Sequence, residues 1–218
     1  MNLSSEQTEQ LFQFTKKKMV HYYDLQVELV DHLANMIEEH MQEDPSLTFE
    51  QALNKAYTSF GLFGFAHIVQ EKSNQLARKY KKMWWREMAN QFKWPDIVLS
   101  AVLLLITWTL VKSVSIEILG TCFLAGWVAC WIIQTRLITQ PQKNGKSLLM
   151  LQCDPTVNSF FLVFMQIVGW SFIYSKNPYL ATTVFVLGAI IEIATFRLFF
   201  KIRKEAQELF PEAFLKTT

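Results

Sequence analysis

IVLSAVLLLITWTLVKSVSIEILGTCFLAGWVACWIIQ, from Ile97 to Gln134, is the stretch that decides the fold. Its 38 residues hold only two charges, Lys112 and Glu117, close together near the middle. As one helix the tract would be about 57 Å long at 1.5 Å per residue. The hydrocarbon core of a bilayer is only about 30 Å thick. Two helices joined by a tight hairpin at Lys112–Glu117 fit that thickness, and the reading places them at residues 97–113 and 116–134. Pro95 marks the start of the first, since proline is tolerated in a first turn and not further in. Lys112 can snorkel its ammonium outward and lengthen that short span.

A second apolar tract, from Val157 to Phe200, is again too long for one crossing, and Lys176-Asn177-Pro178 breaks it. The expected spans are residues 157–175 and 179–200. Basic residues orient the four helices. Arg78, Lys79, Lys81, Lys82, Arg86 and Lys93 precede the first span. Arg136, Lys143 and Lys146 lie between the second and third, and Lys201, Arg203 and Lys204 follow the fourth. The two opposite hairpins hold only Lys112 and Lys176. Both termini are therefore expected in the cytoplasm, with the chain a multi-pass protein of the cell (inner) membrane.

Composition agrees. Charged residues make up 18% of the 218, below the roughly 25% usual for soluble domains. Most of the acidic residues lie before Pro95. A net charge of +2 argues against a direct nucleic-acid binder, which would show a basic face or stripe. Cys122 and Cys130 are too far apart along one helix for a disulfide, and Cys153 has no evident mate, so no disulfide framework is expected. The polar N-terminus lacks a signal-peptide pattern.

Before Pro95 the periodicity is helical. Ser4 and Gln7 form a capping box for a helix running to about Lys17. Leu25, Leu29, Leu33, Met36, Ile37 and Met41 then recur at three and four residues, until Asp44-Pro45 ends that helix. Thr48 and Gln51 form a second box, Gly61 offers a left-handed stop, and a long helix follows from about Ala66 towards Gln91. Each helix has one apolar stripe and must bury it against the others. The fold class is all-α: a small cytoplasmic helical bundle over residues 1–77, a basic and aromatic interfacial linker helix over 78–96, a four-helix transmembrane region over 97–200, and a tail over 201–218. In the linker, Arg78, Lys79, Lys81, Lys82, Trp84, Trp85 and Arg86 mix cations with rings, as a helix on an anionic leaflet does.

The run Leu25-Gln26-Val27-Glu28-Leu29-Val30-Asp31-His32-Leu33, followed by Ile37-Glu38-Glu39, Thr48-Phe49-Glu50-Gln51-Ala52 and Phe60-Gly61, resembles the HAAS-type short helical domain. That domain stands at the N-terminus of bacterial multi-pass membrane proteins often encoded beside PadR-like transcriptional regulators. The resemblance covers roughly residues 20–75. It implies a signalling or regulatory membrane protein without enzymatic activity and brings no catalytic residues. On that reading the face of Glu28, Asp31, His32, Glu38 and Glu39 is where a cytoplasmic protein partner would bind.

Three further groups stand out. Glu192 lies inside the fourth span, with Gln166 expected at similar depth in the third and Arg136 and Arg197 as expected counter-charges. Intramembrane ionisable groups usually face a bundle interior or a cavity. A packing hydrogen bond between helices competes with an ion path, the alternative function being a small transporter or channel subunit. Cys122, Gly126 and Cys130 recur every fourth residue and let helices approach closely, within one chain or in a homo-oligomer. Glu28 and His32 share a helix face, but a structural zinc site takes four ligands, and none of the other histidines has a standard spacing. No Ser-His-Asp set, phosphate loop, HExxH or CxxC occurs. No cofactor, metal or enzymatic activity is expected, a lipid-modifying enzyme being the weakest reading. The segment from Thr139 to Pro155 reads as a plain connector.

Overall fold

The computed structural model describes residues 3–143, 145–152 and 177–215. Every regular element among them is a helix: α1 Ser5–Lys17, α2 Tyr23–Glu43, α3 Phe49–Thr58, α4 Phe65–Asn90, α5 Asp96–Leu110, α6 Ile116–Lys143, α7 Leu149–Gln152 and α8 Pro178–Leu209, then a 3-10 turn at Pro211–Ala213. The all-α expectation holds. The chain forms two compact units, divided within α4 after Leu76 and at the far ends of α6 and α8.

The first unit gathers residues 1–76, 141–153 and 210–218. Both expected capping boxes are present. Ser4 Oγ accepts from Gln7 N–H and Gln7 Oε1 accepts from Ser4 N–H; Thr48 and Gln51 repeat the pattern at α3. Each cap of this kind is worth about 1 kcal/mol. α1 ends in Lys16 and Lys17, which complement its C-terminal dipole, and Met19 turns the chain with a φ of 68°. Leu25, Leu29, Leu33 and Ile37 of α2 are buried at the expected spacing, with Val30 beside them. They pack with Leu11 of α1 and Ala52 and Ala56 of α3 in one core. At one end Tyr57 stands edge-on to Phe14 and Phe65 at 5.2 and 5.1 Å, and Phe60 meets Phe65 at 5.0 Å. Edge-on pairs of this kind add about 0.5–1.5 kcal/mol each.

The second unit holds residues 77–140 and 154–209. α5 lies along α8, where Leu103 and Leu104 meet Phe185, Val186, Ala189 and Ile190. Trp108 and Tyr179 close one end of that contact at 5.9 Å. The long helix expected from about Ala66 towards Gln91 is observed as α4, and the expected linker helix over 78–96 is not separate from it. Its first part continues α4 without a break to Asn90, because no proline or glycine interrupts the pattern before Pro95.

Among the described residues, two helices are long and apolar enough to cross a membrane, Glu117–Thr139 and Pro178–Leu209. α5 is apolar but has 15 residues and rises only about 22 Å, short of a hydrocarbon core of about 30 Å. The span expected at residues 157–175 lies outside the described residues. α6 and α8 both run past their expected ends at 134 and 200, so the first residues of the expected tail are helical. Leu124, Val128, Trp131, Ile132 and Ile133 are exposed on α6, as are Leu180, Leu187 and Ile193 on α8. Apolar surface on this scale is costly in water and suited to lipid.

Candidate functional site

Tyr23 and Asp24 open α2, and two distant segments of chain converge on them. Tyr22, at the N-cap, offers no side-chain cap bond, so the free N–H groups in the first turn of α2 must find acceptors elsewhere. Tyr23 N–H donates to the Ser147 carbonyl at 2.6 Å, within an isolated parallel bridge between Tyr22 and Ser147. The Asp24 carboxylate accepts from three backbone N–H groups. Leu25 and Leu149 donate to Oδ1 at 3.0 and 2.9 Å, and Met150 donates to Oδ2 at 2.9 Å. One carboxylate thus serves an N–H in the first turn of α2 and caps the short α7. Leu148, Leu149, Met150 and Leu151 are all buried behind this contact. Burying side chains of this size gains about 1.5–3 kcal/mol each.

Tyr23 reaches the other segment. Its phenol donates to Glu212 Oε1 at 3.0 Å, and Phe210 stands edge-on to its ring at 6.2 Å. Lys146 places its ammonium 4.4 Å from the ring centroid of Tyr23. Neighbouring residues Tyr23 and Asp24 therefore bind residues 146–150 and 210–212 to the N-terminal bundle. The electrostatics follow from burial. Desolvation pushes the Asp24 carboxyl above its ordinary value, against the opposing pull of the Leu149, Met150 and Leu25 N–H donors. Burial, then the hydrogen bond and charge of Glu212, push the Tyr23 phenol up to about 12.

Residues 139–155 and 201–218 are thus more than the plain connector and tail that the sequence reading expects. The signal it passed over is Leu148-Leu149-Met150-Leu151, four successive apolar residues inside an otherwise polar loop. Such a run has to be buried somewhere.

The face singled out on α2 is divided. Glu28 is taken up by Lys72, whose ammonium lies 2.7 Å from its Oε2, and Glu38 accepts from Leu3 N–H at 3.1 Å. Asp31, His32 and Glu39 are exposed. The described residues contain no cluster of three or more metal-ligating side chains.

In the second unit, α4 and the start of α5 meet α8 through polar pairs. Lys79 bonds Glu205 at 2.7 Å, and Lys201 bonds Glu87, which is only 6% exposed. Trp84 Nε1 donates to Thr195 Oγ1 at 3.0 Å, and Arg203 donates to the Leu137 carbonyl. Arg197 forks onto both oxygens of Asp96. Arg197 is therefore not the counter-charge of Glu192: the first turn of α5 supplies it with a carboxylate in bidentate geometry. Arg136 is exposed. Glu192 is half-buried. Gln166 lies outside the described residues. The expected interfacial group is split, with Trp84 turned inward to Thr195 while Trp85, Arg78, Lys81, Lys82 and Arg86 are exposed. Cys122 and Gly126 are exposed, and a Cβ on Gly126 would meet nothing within 4 Å.

Comparison with protein-family models, curated proteins and solved structures found no match.

Proposed function

We propose that this chain is a regulatory integral membrane protein of the cell (inner) membrane. In this reading four transmembrane helices anchor it, and its N-terminal helical domain binds a cytoplasmic protein. The observation that carries the reading is the convergence at Tyr23 and Asp24. Residues 141–153 and 210–218 belong to the same compact unit as the N-terminal bundle. The chain between 77 and 140, and again between 154 and 209, must leave that unit and return to it. A segment that leaves and returns on one side of a bilayer crosses it an even number of times. Two apolar tracts, each a hairpin, satisfy that condition, and the basic residues favour the cytoplasm as the side of return. A domain tied to both returning ends is placed to couple what the helices do to what it binds.

The resemblance to the HAAS-type domain points to a signalling partner, including a transcription regulator. Asp31, His32 and Glu39 are the exposed acidic and histidine positions that would meet it. The test is purification of the full-length protein in mild detergent from its own host, beside an Asp31→Lys/Glu39→Lys variant. A cytoplasmic protein retained by the first and lost from the second supports the reading. If no cytoplasmic protein is retained by either, the regulatory reading fails.

Transport is the second reading and draws on Glu192, which the described residues leave without a cationic partner while Arg197 is held by Asp96. Unchanged ion or solute flux in a Glu192→Gln variant would remove it.

A further inference from the structure

Gly61-Leu62-Phe63-Gly64 forms the tip between α3 and α4. Both glycines are left-handed, at φ of +74° and +50°, and Gly64 N–H donates back to the Gly61 carbonyl at 3.2 Å. This tight turn holds two large apolar side chains out in the open: Leu62 is 96% exposed and Phe63 is 75% exposed. Tyr57 links the tip to the end of α1. A Cβ on Gly64 would come within 2.5 Å of the Tyr57 hydroxyl, and the Lys18 ammonium lies 4.2 Å from the Tyr57 ring centroid. Lys16 and Lys17 are exposed on that same end of α1, followed by Met19 at 74% exposure. No acidic residue occurs between Gln10 and Tyr23 or between Gln51 and Gln70. One end of the first unit therefore presents apolar side chains beside a run of lysines, free of carboxylates from these segments.

We propose that this end is a docking surface for an anionic lipid leaflet, with Leu62 and Phe63 entering the acyl boundary and Lys16–Lys18 lying among headgroup phosphates. The proposal rests on the membrane reading above. The shape and charge select lipid over protein. The tip is a convex turn carrying two side chains, where a protein anchor would need a matching pocket, and the lysines complement a negatively charged, fluid surface. Phe14, Tyr57, Phe60 and Phe65 pack edge-on to one another behind the turn.

The experiment uses the full chain, with its native cysteines changed to serine, in lipid nanodiscs of anionic or purely zwitterionic composition. Single spin labels are placed through Leu62→Cys, Leu187→Cys on the exposed apolar face of α8, and Gln42→Cys on the exposed end of α2. Collision with oxygen reports lipid, and collision with a water-soluble nickel chelate reports solvent. In anionic discs the label at 62 should be reached by nickel about tenfold less than the label at 42, as for an apolar side chain in the interface. Lys16→Glu with Lys17→Glu should abolish that protection. If 62 is aqueous while 187 is in lipid, this inference is overturned and the membrane reading stands. If 187 is aqueous as well, both fall. A label at 62 shielded from oxygen and nickel alike means protein covers the tip, which also overturns the proposal.

Discussion

Asp24→Ala tests the convergence site directly. It removes the acceptor of three backbone N–H groups, two of them on the distant residues Leu149 and Met150. A hydrogen bond to a charged group contributes roughly 1.5–3 kcal/mol, and water entering the vacated space returns part of that. The expected loss in the docking of residues 145–152 is about 2–4 kcal/mol. At about 1.4 kcal/mol per decade, the opening constant rises about 30- to 1,000-fold. Amide hydrogen exchange of the segment around Leu148–Leu151, followed by mass spectrometry in nanodiscs, reads that change. Asp24→Asn keeps one carbonyl acceptor and should fall between wild type and alanine. Asp31→Ala, at an exposed site on the same helix, should stay within about 0.5 kcal/mol. The pH dependence has a definite sign. Burial raises the carboxyl of Asp24 in the folded chain. Between the ordinary carboxylate value and the raised one, the folded chain holds a proton that the unfolded chain has released. Stability linked to Asp24 is then full below the ordinary value and declines as pH rises through the raised one. Asp24→Ala should abolish that slope. Unchanged exchange at Leu148–Leu151 in the alanine variant would refute the idea that Asp24 holds the segment.

Tyr23 in the folded chain titrates at about 12, through burial and Glu212. Its linked stability is full below about 10 and is lost as pH rises towards 12; Glu212→Gln should bring its tyrosinate absorbance transition down towards the ordinary range. Gly64→Ala meets both a left-handed φ and the Tyr57 hydroxyl, whereas Gly61→Ala meets a left-handed φ alone. The first should therefore cost more than the roughly 1–2 kcal/mol expected of the second, compared by thermal unfolding. Lys201→Ala leaves the buried Glu87 carboxylate without its partner and should cost about 1–3 kcal/mol. The double change with Glu87→Gln should recover part of that, and equal losses in the two variants would show that the pair is not coupled.

The helices of the bundle were legible because local rules agreed with tertiary ones. The two capping boxes fixed the starts of α1 and α3, and the apolar spacing in α2 picked out Leu25, Leu29, Leu33 and Ile37, all buried. What escaped the reading was long-range. Asp24 looked like an ordinary acidic residue in a helical first turn, where such residues complement the dipole. Nothing local says that a carboxylate there also caps a helix formed 125 residues later in the chain. The partner of Arg197 escaped for the same reason. Spacing along α8 put Glu192 near it, while packing against α5 brought Asp96. Periodicity identifies faces, but which charges on two faces meet is set by register between helices, and one sequence does not encode that register locally.

The chain's own connectivity gives the convergence its consequence. α8 ends at Leu209, and the very next residue, Phe210, stands against the Tyr23 ring. α6 ends at Lys143, and Lys146 already lies over that same ring. Along the chain, only a few residues separate the end of either helix from its contact on Tyr23. On the proposed reading, a shift of either helix along its axis must stretch the contacts at Tyr23 and Asp24 or move α2 itself. α2 carries Asp31, His32 and Glu39 on its exposed side. On the same reading, a helix held at its first turn by residues 146–150 and 210–212, and presenting a polar face along its length, transmits displacement without any change in its own fold. The grip rather than the face is then where coupling is set: Asp24→Ala should leave partner binding intact and uncouple it from the membrane helices, whereas Asp31→Lys/Glu39→Lys should abolish binding and leave exchange at Leu148–Leu151 unchanged.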